Sequence, residues 1–265
     1  MSRNNIRLLR SYLRYRVGSK TKYKIHSPFV FDLITQVFES KVVPEVCNQI
    51  RSLYREQCRN SRVLETTDFG QSSSRMAYIT EFLRISEIAR TSSIKKKSGE
   101  LLYRLVEHLK PETILELGTA LGFSTLYIAK AYPDTHLYTI EGCAAKVEVA
   151  RSNFGRMSAT NIAVFTGRFD TQLPKVLDNI NKLDFVFMDG HHQYRPTLEY
   201  FSMIMKHSHE DTVIVLDDIH WSTGMEKAWE LIKQIPDVTV TIDLNHMGIV
   251  FFRKSLSKQN FIIRY

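Results

Sequence analysis

The residues whose types and spacing could do chemistry stand at the ends of short apolar runs in the second half of the chain. Gly118 and Gly122 follow the run Thr113 to Leu117, and Glu141 closes the run His136 to Glu141, 23 residues beyond Gly118. Glycines there let a backbone turn tightly and approach a ligand at the start of a helix. A carboxylate closing the next strand can accept hydrogen bonds from the two ribose hydroxyls of an adenosine. A pyrophosphate would need a glycine two residues after Gly118, where Ala120 stands, and no Gly-Lys-Ser/Thr follows any strand, so a P-loop is excluded. A cofactor of adenosine and an amino-acid tail without phosphate fits, and S-adenosylmethionine is the usual one. The bland alternative is a tight turn beside a surface carboxylate, which the strand-helix-strand context disfavours.

Such a site needs strand ends to carry it. From Pro111 onward, strands are predicted at Thr113 to Leu117, His136 to Glu141, Ile162 to Thr166, Asp184 to Asp189 and Thr212 to Asp217, with helices between them. This alternation predicts an α/β fold with right-handed crossovers and a mostly parallel sheet. Val238 to Leu244 and Ile249 to Arg253 are too close for a crossover and should pair as an antiparallel hairpin. Thr223 and Glu226 read as a capping box for a helix burying Met225, Trp229 and Ile232. Trp229 is read as core, and Trp221 follows the site directly.

The N-terminal part reads as helical. Ile6, Leu9, Leu13 and Val17 form one helical stripe and Arg3, Arg7, Arg10 and Arg14 another, read mainly as a solvated face. Ser27 and Pro28 suit a helix start, with that helix ending near Phe38, and a third helix is expected over Glu45 to Cys58. Residues 61 to 75, with Gly70, Gln71, Ser72, Ser73 and Ser74, read as an exposed connection. The predicted organisation is a basic helical cap region, 1–75, and a cofactor-binding domain, 76–265. The tripeptide from Asp68 to Gly70 has no accompanying kinase motif and is read as chance.

The net charge of +8 lies entirely within residues 1 to 60, where 12 Lys and Arg face 4 Asp and Glu. Such a segment can meet nucleic acid, an anionic surface or an acidic substrate, although a solvated helix face is commoner. Cys47, Cys58 and Cys143 lack metal-ligand spacing and are expected as free thiols of a cytoplasmic protein. Neither a membrane-spanning run nor a secretory signal is read. His26, His207, His209 and His246 are assigned ordinary surface or hydrogen-bonded roles.

ILELGTALGFSTLYIA resembles the first motif of class I methyltransferases in the form found in the catechol O-methyltransferase-like group. TIEG, from Thr139 to Gly142, resembles its acidic second motif, and FVFMDGHHQY and VIVLDDIHW resemble the motifs ending its fourth and fifth strands. IHSPFVFDL, from Ile25, is similar to a segment preceding this domain in uncharacterised bacterial relatives. The resemblance covers about Ser98 to Arg253. It implies a Rossmann-like fold with a seven-stranded sheet, and S-adenosylmethionine held by Glu116, Gly118, Gly122, Ser124, Glu141, Gly167, Arg168 and Asp189. It further implies magnesium on Asp189, Asp217 and Asp218, and His192 with Asp189 in the catalytic role.

Two departures stand out: Asp218 replaces the family's frequent Asn, and His192 replaces its Lys. The expected reaction is O-methylation of a small hydroxylated acceptor. RNA methylation through the basic N-terminal region and a non-catalytic adenosyl-binding module are the alternatives, and a homodimer is compatible with either.

Overall fold

The computed structural model describes residues 3–40, 43–68 and 79–265. In chain order the elements begin with α1 (Arg3–Gly18), α2 (Pro28–Leu33), α3 (Glu45–Gln57), β1 (Val63–Asp68), β2 (Ile79–Arg84), α4 (Ile85–Ser92) and α5 (Lys96–Leu109). There follow β3 (Thr113–Leu117), α6 (Phe123–Ala131), β4 (His136–Glu141), α7 (Ala144–Arg156), β5 (Ile162–Thr166), α8 (Phe169–Leu177) and β6 (Leu183–Met188). The chain continues with α9 (Tyr194–Met205), β7 (Ser208–Asp217), α10 (Thr223–Gln234), β8 (Val240–Asp243), β9 (Met247–Phe251) and β10 (Gln259–Ile262). Two compact units emerge, one of residues 1–35 with 181–265 and one of 36–180.

In the unit of residues 36–180, β3, β4 and β5 run parallel in that order, so their carboxyl ends share one edge. The apolar runs of β3 and β4 are buried as continuous strands because crossover helices cover parallel sheets: Ile114, Leu115, Leu117, Leu137 and Ile140 are all within the core. α5 packs on α6 where Gly99 meets the Tyr127 ring; a Cβ there would stand 2.4 Å from Tyr127 Cε2. β1 and β2 pair as an antiparallel hairpin, from Val63 with Arg84 to Asp68 with Ile79. Part of the expected connection is therefore strand, with Leu64 and Thr66 of β1 buried while β2 is exposed along most of its length. Gly70, Gln71, Ser72, Ser73 and Ser74 lie outside the described residues.

The other unit orders its strands β10-β8-β9-β7-β6. β6 and β7 are parallel, β9 is antiparallel to β7 and β8, and β10 is parallel to β8. The carboxyl ends of β6, β7, β8 and β10 therefore share an edge. The predicted hairpin is present, and the whole has the mostly parallel, Rossmann-like strand pattern with antiparallel C-terminal strands and N-terminal helices. The seven expected strands are joined by β10, whose four residues include only two apolar ones.

Trp229 is 1 % exposed, as read. The helix start, however, is one residue earlier than expected, with Ser222 Oγ accepting from Met225 N at 3.1 Å. Ser27 Oγ does cap α2 through Val30 N, at 3.4 Å, and α2 continues through a wider turn to Phe38.

The larger correction concerns α1. Its buried residues are Ser11 and Tyr15, while Leu9, Leu13 and Val17 of the predicted apolar stripe are 47, 53 and 89 % exposed. Tyr15 prevails because its hydroxyl donates to the Ile263 carbonyl at 2.7 Å while its ring fills the core. Nor is Arg7 solvated: its guanidinium reaches the His220 carbonyl at 3.1 Å, Glu226 Oε1 at 3.4 Å and the Trp221 carbonyl.

Candidate functional site

The loop from β3 into α6 is built on left-handed backbone. Gly118, Ala120 and Gly122 have φ of 104°, 45° and 84°. Gly118 is free to adopt this turn, and its N–H donates to the Ile140 carbonyl at 3.0 Å, tying the loop to β4. Gly122 has a second reason to be glycine, since a Cβ there would stand 2.4 Å from Phe154 Cε1 on α7. Its role in this geometry is helix packing. Ser124 is buried in the first turn of α6.

Two carboxylates flank this loop. Glu116 is fully buried, and its Oε2 accepts from Thr125 Oγ1 and Thr139 Oγ1, each at 2.6 Å. Thr119 adds a 2.6 Å hydroxyl contact to Thr139. Glu116 Oε1 is buried without a hydrogen-bond partner. Burial raises the Glu116 pKa, the three hydroxyls of Thr125, Thr139 and Ser124 oppose the shift, and the Glu141 charge adds to it. A buried acceptor with unused capacity fits a cationic ligand group.

Glu141 lies at the end of β4, where its Oε2 accepts from Ala120 N and its Oε1 from Cys143 N, both at 2.9 Å. It therefore clasps two loops together. A carboxylate offers about four lone-pair sites, so acceptor capacity for a ribose remains. After β5, Gly167 has φ 141° and donates its N–H to the Glu141 carbonyl at 2.9 Å. Arg168 pairs with Asp170 at 2.8 Å.

The second acidic set belongs to the unit containing β6 and β7. His192 Nε2 stands 3.5 Å from Asp189 Oδ1. Asp217 ends β7, and its pKa is raised well above the carboxylate range by burial first, then by the charges of Asp189 and Asp218. The backbone is left-handed at both strand ends, with φ of 59° at His191 and 53° at Asp218. Such conformations cost about 1–3 kcal/mol in a residue with a side chain. Among the described residues no group of three His, Cys, Asp or Glu side chains is arranged to hold a metal ion. The charges of Asp189 and Asp218 do act on Asp217, and these are the carboxylates that would face a divalent cation, with water as its other ligands.

The sequence also offers His220, within VIVLDDIHW, as an alternative base, but not the partners that the structure gives it. Its Nε2 lies 2.8 Å from Asp243 Oδ2 and its Nδ1 3.6 Å from Glu226 Oε1. Burial alone would lower its pKa, but the two carboxylates win and raise it. Tyr15, Tyr194, His220, Leu231 and Asp243 help line a cavity of about 510 Å³, within the size range of small-molecule sites. Only the spacing of His220 and Asp243 at successive strand ends could have signalled the pair.

Comparison with known proteins agrees with this architecture. A family model described as a methyltransferase domain matches residues 115–219. The chain is 31% identical over 130 residues to a catechol O-methyltransferase of Niastella koreensis, covering 48% of this chain and 58% of that protein. It is 28% identical over 129 residues to a catechol O-methyltransferase of Mycobacterium tuberculosis, covering 48% and 57%. The chain thus spans less than two thirds of the length of either relative. The fold is shared with an O-methyltransferase from Bacillus cereus solved with S-adenosylhomocysteine, at TM-score 0.56 and 18% identity over 89% of this chain and 99% of that one. The four strand-end motifs thus lie in order on a fold shared with solved O-methyltransferases, and the chain carries a match to a methyltransferase domain over residues 115–219.

Proposed function

We propose that the protein transfers a methyl group from S-adenosylmethionine to the oxygen of a small hydroxylated acceptor. The observation that carries this reading is the pair of carboxylates around the β3–α6 loop. Glu116 presents a buried, unpartnered oxygen suited to an ammonium group, and Glu141 keeps acceptor capacity for ribose hydroxyls. Gly118, Gly122, Ser124, Gly167 and Arg168 complete the proposed cofactor set. When bound, the cofactor supplies a methyl carbon made electrophilic by its sulfonium.

A neutral hydroxyl is a poor nucleophile, so the acceptor proton must leave as its oxygen attacks. His192 is the proposed base. An imidazole is suited to taking a proton in the physiological range, and the Asp189 carboxylate beside it stabilises the imidazolium that results. His220 is the weaker candidate, because its two carboxylates favour a histidine already protonated. The cavity beside it suits the body of a small acceptor.

Magnesium belongs to this proposal only as a test arm: a divalent cation would relieve the crowding of Asp217 by Asp189 and Asp218, and chelator would then abolish turnover. The division into a 1–75 cap and a 76–265 cofactor domain, and a reducing cytoplasmic setting consistent with three free cysteines, are parts of the same reading. No helix among the described residues is long and apolar enough to cross a membrane.

Calorimetry with S-adenosylhomocysteine and NAD, followed by methyl transfer to a panel of catechols and related hydroxylated acceptors, tests the proposal. Expected is binding of the first ligand alone, and turnover that His192→Ala reduces by about 10²-fold or more with loss of the acidic limb of the pH profile. Preference for NAD would refute the cofactor assignment, and an unaltered rate and pH profile in His192→Ala would refute the base.

A further inference from the structure

Residues 1 to 31 contain eight Lys and Arg and no Asp or Glu. One side of α1 is fixed to its own unit through Ser11, Tyr15 and Gly18, the last lying near Ile262. The opposite side carries Leu9, Tyr12, Leu13 and Val17, at 47, 45, 53 and 89 % exposure. These positions recur at helical spacing and form one ridge. Arg10, Arg14 and Arg16 are exposed around it, and the turn that follows adds Tyr23, 84 % exposed, with exposed Lys20 and Lys24. Single exposed apolar residues are ordinary, whereas a continuous ridge marks an interaction surface.

We propose that α1 and the turn after it seat the protein on an anionic lipid surface. The aliphatic ridge would enter the boundary between headgroups and acyl chains, with the arginines and lysines over the anionic headgroups. Charge complementarity selects this occupant. A second copy of the chain would bring one wholly cationic face against another. A nucleic acid would match the cations but leave Leu9, Leu13 and Val17 in water. A helix of 16 residues is about 24 Å long, so this is a helix lying along the surface. The inference is independent of the methyl-transfer reading.

The test is flotation of the full chain with vesicles of phosphatidylcholine, alone or mixed with phosphatidylserine, at low and high salt. Expected is co-flotation with the anionic vesicles only, weakened by salt. Each cation near an anionic surface contributes roughly fivefold in partitioning, so Arg10→Glu/Arg16→Glu should reduce binding by more than about 25-fold. Leu9→Ser/Leu13→Ser/Val17→Ser should reduce it at least about tenfold, because buried CH₂ groups contribute about fourfold each. An unchanged far-ultraviolet spectrum and melting temperature in both variants would show the loss to be local. Absence of vesicle binding, or binding indifferent to the serine substitutions, overturns the proposal. So does a dimer in solution that those substitutions dissociate, or tight RNA binding that they leave intact while vesicles are ignored.

Discussion

Replacing Glu141 by alanine separates two tasks that one side chain performs. In the free protein its carboxylate holds Ala120 N and Cys143 N, each at 2.9 Å, and it is 9 % exposed. Hydrogen bonds to a charged group are worth about 1.5–3 kcal/mol each. Their loss, partly repaired by water entering the vacated space, should destabilise the ligand-free protein by about 2–4 kcal/mol. At about 2–4 °C per kcal/mol for a chain of this size, the melting temperature should fall by about 4–16 °C. In the proposed function the same oxygens also receive ribose hydroxyls, and losing even one such bond weakens binding by at least about tenfold. Thermal melting of the free protein and calorimetry with S-adenosylhomocysteine read the two effects separately. A lower melting temperature with unchanged affinity would make Glu141 a loop clasp alone. No change in either would refute the reasoning from the geometry itself.

Gly122→Ala should destabilise by about 2–4 kcal/mol, from left-handed backbone at φ 84° and a Cβ 2.4 Å from the Phe154 ring; urea denaturation measures it, and Phe154→Leu in the same chain should restore part of the loss. Asp217 has a folded-state pKa raised by burial and by Asp189 and Asp218, so the folded protein binds its proton more tightly than the unfolded chain does. Its charge therefore costs stability above the unfolded pKa of about 3.9, increasingly so as pH rises towards the folded value. Asp217→Asn should raise the melting temperature at neutral pH, with the gain vanishing below about pH 4, and a lower melting temperature at pH 7 would contradict this sign.

The strands β3 to β9 were legible because each is an apolar or β-branched run bounded by turn residues. The carboxyl-end rule then led directly to Gly118 and Glu141. β1 and β2 were hidden by chemistry: β1 buries Leu64 and Thr66 and exposes Val63 and Glu65, but with an apolar residue outside and a polar one inside the sequence does not carry that alternation, and β2 is exposed along most of its length. The apolar stripe of α1 pointed to the wrong face because periodicity reports which residues share a side and cannot say which side is covered. Tyr15, the residue that decides it, finds its partner at Ile263. The His220–Asp243 pair joins loops separated by 23 residues, a relation fixed by strand order alone. Glu141 was found for its ability to hold a ribose, while its grip on two backbone amides needed the loops in place.

The fastening of α1 has a consequence for how the polypeptide matures on the ribosome. Tyr15 and Lys20 bond to Ile263, Tyr265, Ile262 and Arg264, across 248 and 250 positions in the case of the tyrosine. In a nascent chain this helix therefore emerges well before the residues that anchor it. At about 5–20 residues per second, the interval is of the order of ten seconds to a minute. Until residues 220–226 follow and receive Arg7, the arginine-rich segment is tethered only by sequence, available to any polyanion nearby. Removing the residues after Phe261 should take away the Tyr15 and Lys20 anchors and leave the first helix held through Arg7.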